Sequence, residues 1–228
     1  MPIIRFISTL GYILFAVYLF NSVFFIKEVY LTSSDQVNGL SKLKNTNILF
    51  LNTTDFAKKL EETNPLLTDI NIIKKYPNAV IIEFKKRSPF AFIKADAGYF
   101  LIDKKGYILV KSRQISEHYF IINHYQPLSY LSYSVGKQIQ NFEIAYSLQF
   151  SDVILNNNLK IDSIDILSSN MIRLNIKAGE LSFYILISAE KDVEKTAYEF
   201  SYFWSRFSEK DKLEYLDLRF DKVVYKSL

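Results

Sequence analysis

Residues 76–93 read YPNAVIIEFKKRSPFAFI. Tyr76-Pro77-Asn78 is a turn signal. After it Val80, Ile82 and Phe84 alternate with Ile81, Glu83 and Lys85, the period-two pattern of a strand with one face toward a core. Before it Ile70 and Ile72 alternate with Asp69 and Asn71, which makes a second strand. Further upstream Asn64-Pro65 stops a helix, because proline disfavours helical geometry in the residue before it. That helix is predicted to start at Asn52 or Thr53, whose side-chain oxygens can accept free backbone N–H groups. Asp55 then sits in the first turn, where the helix dipole favours negative charge. Phe56 and Leu60, four apart, share a face. Thr32, Ser33, Ser34 and Asp35 are also capping residues, and Val37, Leu40 and Leu43 follow at three-residue spacing, which predicts an earlier helix. Residues 26–31, IKEVYL, make a short strand. The order strand, helix, helix, strand, strand describes a small domain with helices packed on one face of a three-stranded sheet.

Ahead of this domain, residues 6–26 carry no charge between Arg5 and Lys27. A helix of that length spans roughly 30 Å, the thickness of the bilayer hydrocarbon core. A signal peptide has a shorter apolar region followed by a small-x-small cleavage site, and none is evident here. The expectation is an uncleaved single-pass anchor, with the amino end in the cytoplasm by the positive-inside rule. Residues 1–26 then form a short tail and anchor.

Beyond the small domain the pattern is mostly strands. Residues 99–102 and 107–110 flank the DKKG turn as a hairpin. Residues 142–155 read as a helix. Ile161, Ile164 and Ile166 mark a strand, and 171–176 and 181–187 form a hairpin around KAGE. In the helix that follows, Val193, Ala197, Phe200, Trp204 and Phe207 recur at spacings of three and four, an apolar stripe for the core. At the end, Leu216, Leu218 and Phe220 share one strand face and Asp217, Arg219 and Asp221 the other, while 223–225 is apolar on both faces. The stretch 112–140 carries little pattern. The predicted fold class is α+β: a transmembrane helix, a β-α-α-β-β domain over 27–94, and a larger, mainly antiparallel sheet domain with helices over 95–228.

Composition narrows the function classes. Hydrophobic content of 49% with 16% aromatics rules out a disordered chain. There is no cysteine, which excludes disulfides, thiolate catalysis and Cys-based metal sites. The net charge of +4 is mild, and the basic clusters at 74–75, 85–87 and 104–105 are sparser than nucleic-acid binding requires. His118 and His124 fit no metal-binding spacing. Asp162 and Asp165 alternate with isoleucines, as on the solvated face of a strand. Asn52-Thr53-Thr54 matches the glycosylation pattern, which is common by chance. No P-loop, G-x-G-x-x-G or G-x-S-x-G is present. The expectation is a protein without enzymatic activity, cofactor, metal, small-molecule substrate or nucleic-acid partner.

A single anchor followed by this strand and helix order resembles a POTRA domain. The succession YPNAVIIEFKKRSPFAFI, then GYFLIDKKGYIL, resembles the bacterial cell-division family FtsQ, also called DivIB. The features shared are a turn proline, an alternating strand, Arg87-Ser88-Pro89, and an aromatic hairpin around Asp103 to Gly106. YLDLRFDKVV is similar to that family's last strands. The resemblance runs over residues 3–226, with a shorter amino-terminal tail than is common in the family.

The resemblance implies a divisome scaffold in the inner (cytoplasmic) membrane, its folded part outside the cytoplasm at the division septum. It implies recruitment and regulation of septal wall synthesis through contacts with FtsB and FtsL, and with FtsW-like or FtsK-like proteins and the septal synthase. In the family the last strands pair with a strand of FtsB. By position, that assigns partner binding to Arg219, Phe220, Lys222, Val223, Val224 and Tyr225, with Arg219 facing a partner carboxylate. Strand parity leaves Phe220 open, as a partner contact or as core. The alternative is a POTRA chaperone module for outer-membrane insertion or secretion, although a large barrel would need many more alternating strands than the remaining residues hold.

Overall fold

The computed structural model describes residues 11, 12, 18, 22–44, 46–178, 181–208 and 212–227. Most of the expected anchor, 6–26, lies outside these residues, and among the described residues no helix is long and apolar enough to cross a membrane. The chain divides into two compact units, 1–87 and 88–228.

The first unit is built on β1 (Glu28–Leu31), α1 (Thr53–Thr63), β2 (Leu67–Lys75) and β3 (Ala79–Lys86). The sheet order is β1-β3-β2, with β1 parallel to β3 and β2 antiparallel to it. The helix start expected at Asn52 is present: its side chain accepts from the Asp55 backbone N–H. At the other end Asn64 is buried, and its amide donates to the carbonyls of Leu60 at 2.9 Å and Asn38 at 3.0 Å. A buried asparagine is stable here because its polar atoms are matched. The earlier helix expected around 37–43 is only a four-residue 3₁₀ turn, Leu40–Leu43. Gly39 before it has φ +92°, a left-handed conformation that an α-helix running through it could not contain. Leu43 still reaches the core, with Ile48, Leu60, Ile72 and Ile82.

Two boundaries differ from the sequence reading. Phe24 and Ile26, expected in the anchor, join this unit instead: Ile26 is fully buried, its N–H bonds Thr46 O, and the Ile48 N–H bonds Phe24 O. Apolarity alone does not distinguish the end of a span from the first core residue of the domain it leads into. Likewise β4 (Ala91–Ala95) lies inside the expected 27–94 segment, yet pairs with β5 (Gly98–Ile102) and with β7 (Phe120–His124) of the second unit. The break therefore falls after Arg87.

The second unit is one mixed sheet, ordered β12-β11-β10-β9-β8-β7-β4-β5-β6. Its remaining strands are β6 (Ile108–Ser112), β8 (Lys160–Ser168), β9 (Met171–Ala178), β10 (Leu181–Ile187), β11 (Leu213–Asp217) and β12 (Val224–Ser227). The pairs β4/β7, β7/β8 and β10/β11 are parallel. The hairpins expected around DKKG and KAGE are both formed. The first turns on Asp103, whose carboxylate accepts the N–H groups of Lys105 and Tyr107, with Gly106 at φ +80°. In β8 the register shifts between Ile161 and Ser163. A bulge adds one residue to a strand, and this one keeps Ile161 on the same buried face as Ile164 and Ile166 despite the odd spacing.

Helices α2 (Phe142–Asn156) and α3 (Val193–Arg206) are capped by Asn141 and Asp192, whose side chains accept from the N–H groups of Ile144 and Lys195. They meet through Phe150 and Phe200, at 5.9 Å between ring centroids, and through a buried hydrogen bond from Tyr146 Oη to Thr196 Oγ1. Burial raises the Tyr146 pKa above the usual tyrosine value. Trp204 lies against Phe200 and Phe183, so α3 packs on β10. The expected core stripe of α3 is real.

Candidate functional site

The two ends of the nine-stranded sheet are finished differently. Beyond β6 runs the segment 128–139. Gly136 N–H bonds Ile108 O, the Ile108 N–H bonds Lys137 O, and the Ile139 N–H bonds Gly106 O. Lys111 Nζ donates to the carbonyls of Tyr130 and Tyr133. Tyr130 stacks on the buried Phe100 at 5.4 Å, and its N–H donates to Asp96. The main-chain groups of this edge are therefore used at Gly106 and Ile108, and further along the segment is held by the Lys111 side chain. At the other end β12 pairs, among the described residues, with β11 only, and all four of its residues are exposed. A strand edge left open offers N–H and C=O groups to another strand.

Local chemistry fixes β12 in place. Leu216 and Leu218 are fully buried, as the alternation predicts, and the Leu218 N–H donates to Leu186 O. β11 itself ends at Asp217, however, and the chain turns over 218–223. Phe220 consequently leaves the strand parity and is 55% exposed. This removes the core alternative for Phe220. Its alternating position misled because the strand had already ended. Val223 packs on the core at its edge, and the paired strand begins one residue later, at Val224. Tyr225 faces α3, with its ring 5.3 Å from Phe203 and 5.2 Å from Phe207. Lys226 pairs with Glu214 at 2.5 Å, which raises the lysine pKa.

Arg219 is already paired within the chain. Its Nε and Nη2 grip the Asp217 carboxylate at 3.0 and 2.7 Å, and its own N–H bonds Asp217 Oδ1. Asp217 is buried, so this bidentate pair closes the turn as well as presenting a cation. The carboxylate raises the Arg219 pKa further, and the guanidinium lies 5.3 Å from the Phe220 ring centroid. Lys222 is exposed on the turn. The six residues singled out from the sequence thus lie in one run, but they divide by role. Val223 and Tyr225 hold β12 to its own domain. Arg219 shapes the turn. Phe220, Lys222 and Val224 are exposed, as is half of the Tyr225 ring.

Sequence reading missed Lys191. Its side chain is largely covered, and Nζ donates to Glu199 at 2.9 Å and to the carbonyls of Leu218 and Phe220 at 2.7 and 2.8 Å. It clamps the turn before β12 onto α3. No sequence signal marks it, because its partners lie far along the chain.

The aspartates considered as a catalytic pair belong to polar contacts on the sheet. Asp162 pairs with Lys177, and Asp165 accepts from Asn123 and Asn175. His124 stacks on Tyr125 and contacts Gln126 O. Among the described residues there is no group of side chains that could hold a metal ion.

Residues 27–87 match the family model of the FtsQ-type POTRA domain. The chain is 26% identical over 160 residues to the cell division protein DivIB of Clostridium tetani, covering 68% of this chain and 58% of that protein. It is 33% identical over 84 residues to DivIB of Clostridium acetobutylicum, covering 36% of this chain and 33% of that protein. Over 89 residues it is 33% identical to DivIB of Clostridium botulinum, covering 39% and 32%. The chain thus carries an FtsQ-type POTRA domain and is similar to DivIB cell division proteins. Its match spans a little over half the length of the first of these relatives and about a third of the others. FtsQ-type POTRA architecture accounts for β1 through β3, and the nine-stranded unit supplies the open edge.

Proposed function

We propose that this FtsQ/DivIB protein is a non-catalytic scaffold of the division machinery, and that it binds a partner of the FtsB/FtsL type by accepting that partner's strand at β12. The observation that carries the reading is the β12 edge, open among the described residues, in a domain whose opposite edge is bonded by its own chain at Gly106 and Ile108. Strand addition draws affinity from main-chain hydrogen bonds and specificity from alternate side chains. Phe220, Lys222 and Val224 are the exposed side chains that bear on partner choice. The anchor expected over 6–26, of which Phe24 and Ile26 pack in the first unit, would hold both domains outside the cytoplasmic membrane at the septum. Contacts with FtsW-like or FtsK-like proteins and with the septal synthase belong to the same proposal.

Depletion in the host tests the reading. Long filaments without completed septa are expected. Cells of normal length lacking outer-membrane proteins would contradict it and favour a POTRA chaperone.

A further inference from the structure

The solvent side of α3 is unusual for a surface helix. One stripe carries Lys195, Tyr198, Tyr202 and Arg206, at spacings of three and four. Tyr198 is 69% exposed and Tyr202 48%. The two rings lie 6.1 Å apart, and the Arg206 guanidinium sits 4.0 Å over the Tyr202 ring. An aromatic and cationic surface of this kind is the composition of a protein interface, where Tyr and Arg are enriched.

The stripe adjoins the β12 edge. Glu199, Phe203 and Phe207 lie one step around the helix from it; Glu199 is paired with Lys191, and the two rings touch Tyr225. Lys195 reaches Asp221 of the turn at 3.5 Å. A strand added outside β12 would run about 4.8 Å further out. Its helix-side residues would then come level with the stripe. The Glu199 carboxylate is engaged by Lys191 at 2.9 Å and lies 4.0 Å from Lys195, while the Lys195 and Arg206 side chains of the stripe remain exposed to solvent.

We propose that the Lys195–Tyr198–Tyr202–Arg206 flank of α3 is a second contact surface for the partner that pairs with β12, and that it takes an acidic segment adjoining the partner's added strand. The proposal rests on the β12 docking reading and specifies the chemistry of the occupant: carboxylates for the two cations and tyrosine hydroxyls.

The test is binding of the extracytoplasmic part of the host FtsB-like protein to the full chain in detergent, at two salt concentrations. Lys195→Glu combined with Arg206→Glu is expected to weaken binding by about tenfold or more at low salt and to flatten its salt dependence, since flanking charges act largely through long-range attraction. Exchanging acidic residues of the partner for lysine should restore binding to that variant. Should the double reversal lower the melting temperature, Lys195→Gln with Arg206→Gln serves under the same criterion. Unchanged affinity in the α3 variants, with binding lost in Val224→Pro, overturns the acidic-segment proposal and leaves strand docking standing. Binding that survives both Val224→Pro and Tyr225→Pro, or a wild-type chain that binds nothing, overturns the docking reading and this proposal with it.

Discussion

The β6 and β12 ends of the sheet face the same physical problem and solve it in opposite ways. At β6 the 128–139 segment supplies backbone partners at Gly106 and Ile108, carbonyls gripped by Lys111 of β6, and the Tyr130 ring stacked on Phe100. At β12 the chain holds the strand from behind, through Tyr225, Val223, Glu214 and Lys191, and leaves its outer side bare. An exposed strand edge is an aggregation liability unless it is managed. The contrast teaches that, among the described residues, the chain bonds part of one edge itself and leaves the other open, while holding the open strand in a defined position. A positioned, uncovered edge is what a strand-adding partner needs, because little ordering remains to be done on binding.

The contrast breaks most sharply at the β12 backbone. Proline removes an N–H, and along a strand successive N–H groups point to opposite sides. Val224→Pro and Tyr225→Pro therefore divide the work: one removes a bond to β11 and the other a bond offered outward. Each is expected to lower partner affinity by roughly a hundredfold or more, with the rest of the domain still cooperative in thermal unfolding. Retained affinity in both would show that no strand is added here.

At the other end Gly98→Ala should act on stability alone. A Cβ there would meet Ser112 O and the Tyr130 ring at 2.7 Å. The expected cost is about 1–3 kcal/mol, measured by denaturant unfolding, with partner affinity unchanged. A matching loss of affinity would mean that the two edges are not independent.

Arg219 gives a smaller effect of mixed kind. Arg219→Glu places a second carboxylate against the buried Asp217, so it should destabilise the domain as well as weaken binding. Arg219→Gln avoids the like-charge contact and should cost about 1–2 kcal/mol less. Equal melting temperatures for the two variants would show that the pair with Asp217 has no structural weight. The smallest expected effect is that of Tyr225→Ala, whose half-exposed ring gives up its contacts with Phe203 and Phe207 at a cost of about 0.5–1 kcal/mol in all. It should speed amide exchange in β12 and leave β6 unaltered.

Much of this architecture was legible in the sequence because it rests on local signals. The POTRA strands, the Asn52 cap, the DKKG and KAGE turns and the apolar stripe of α3 are all written within a few residues of where they act. The failures arose where distant parts of the chain decide. β7 lies in the 112–140 stretch, where little pattern was seen, and its neighbours are β4 and β8, both distant in sequence. The alternation from Leu216 to Phe220 ran past the true end of β11, since Asp217 and Arg219 close a turn that only their pairing reveals. Ile26 fits both the end of the anchor and the start of the first strand, because both environments select the same side chain. Of the partner-binding residues, their position on the last strand and its turn was legible, but not their division between holding β12 and facing outward. That division depends on Phe203, Phe207 and Lys191, which come from α3 and from just before it.

Amide hydrogen exchange on the full chain, with and without the host FtsB-like extracytoplasmic segment, tests the central claim most directly. The account predicts new protection concentrated in residues 222–227, with residues 106–112 of the covered edge unchanged. Protection at the covered edge, or none in β12 while the partner is bound, would contradict it.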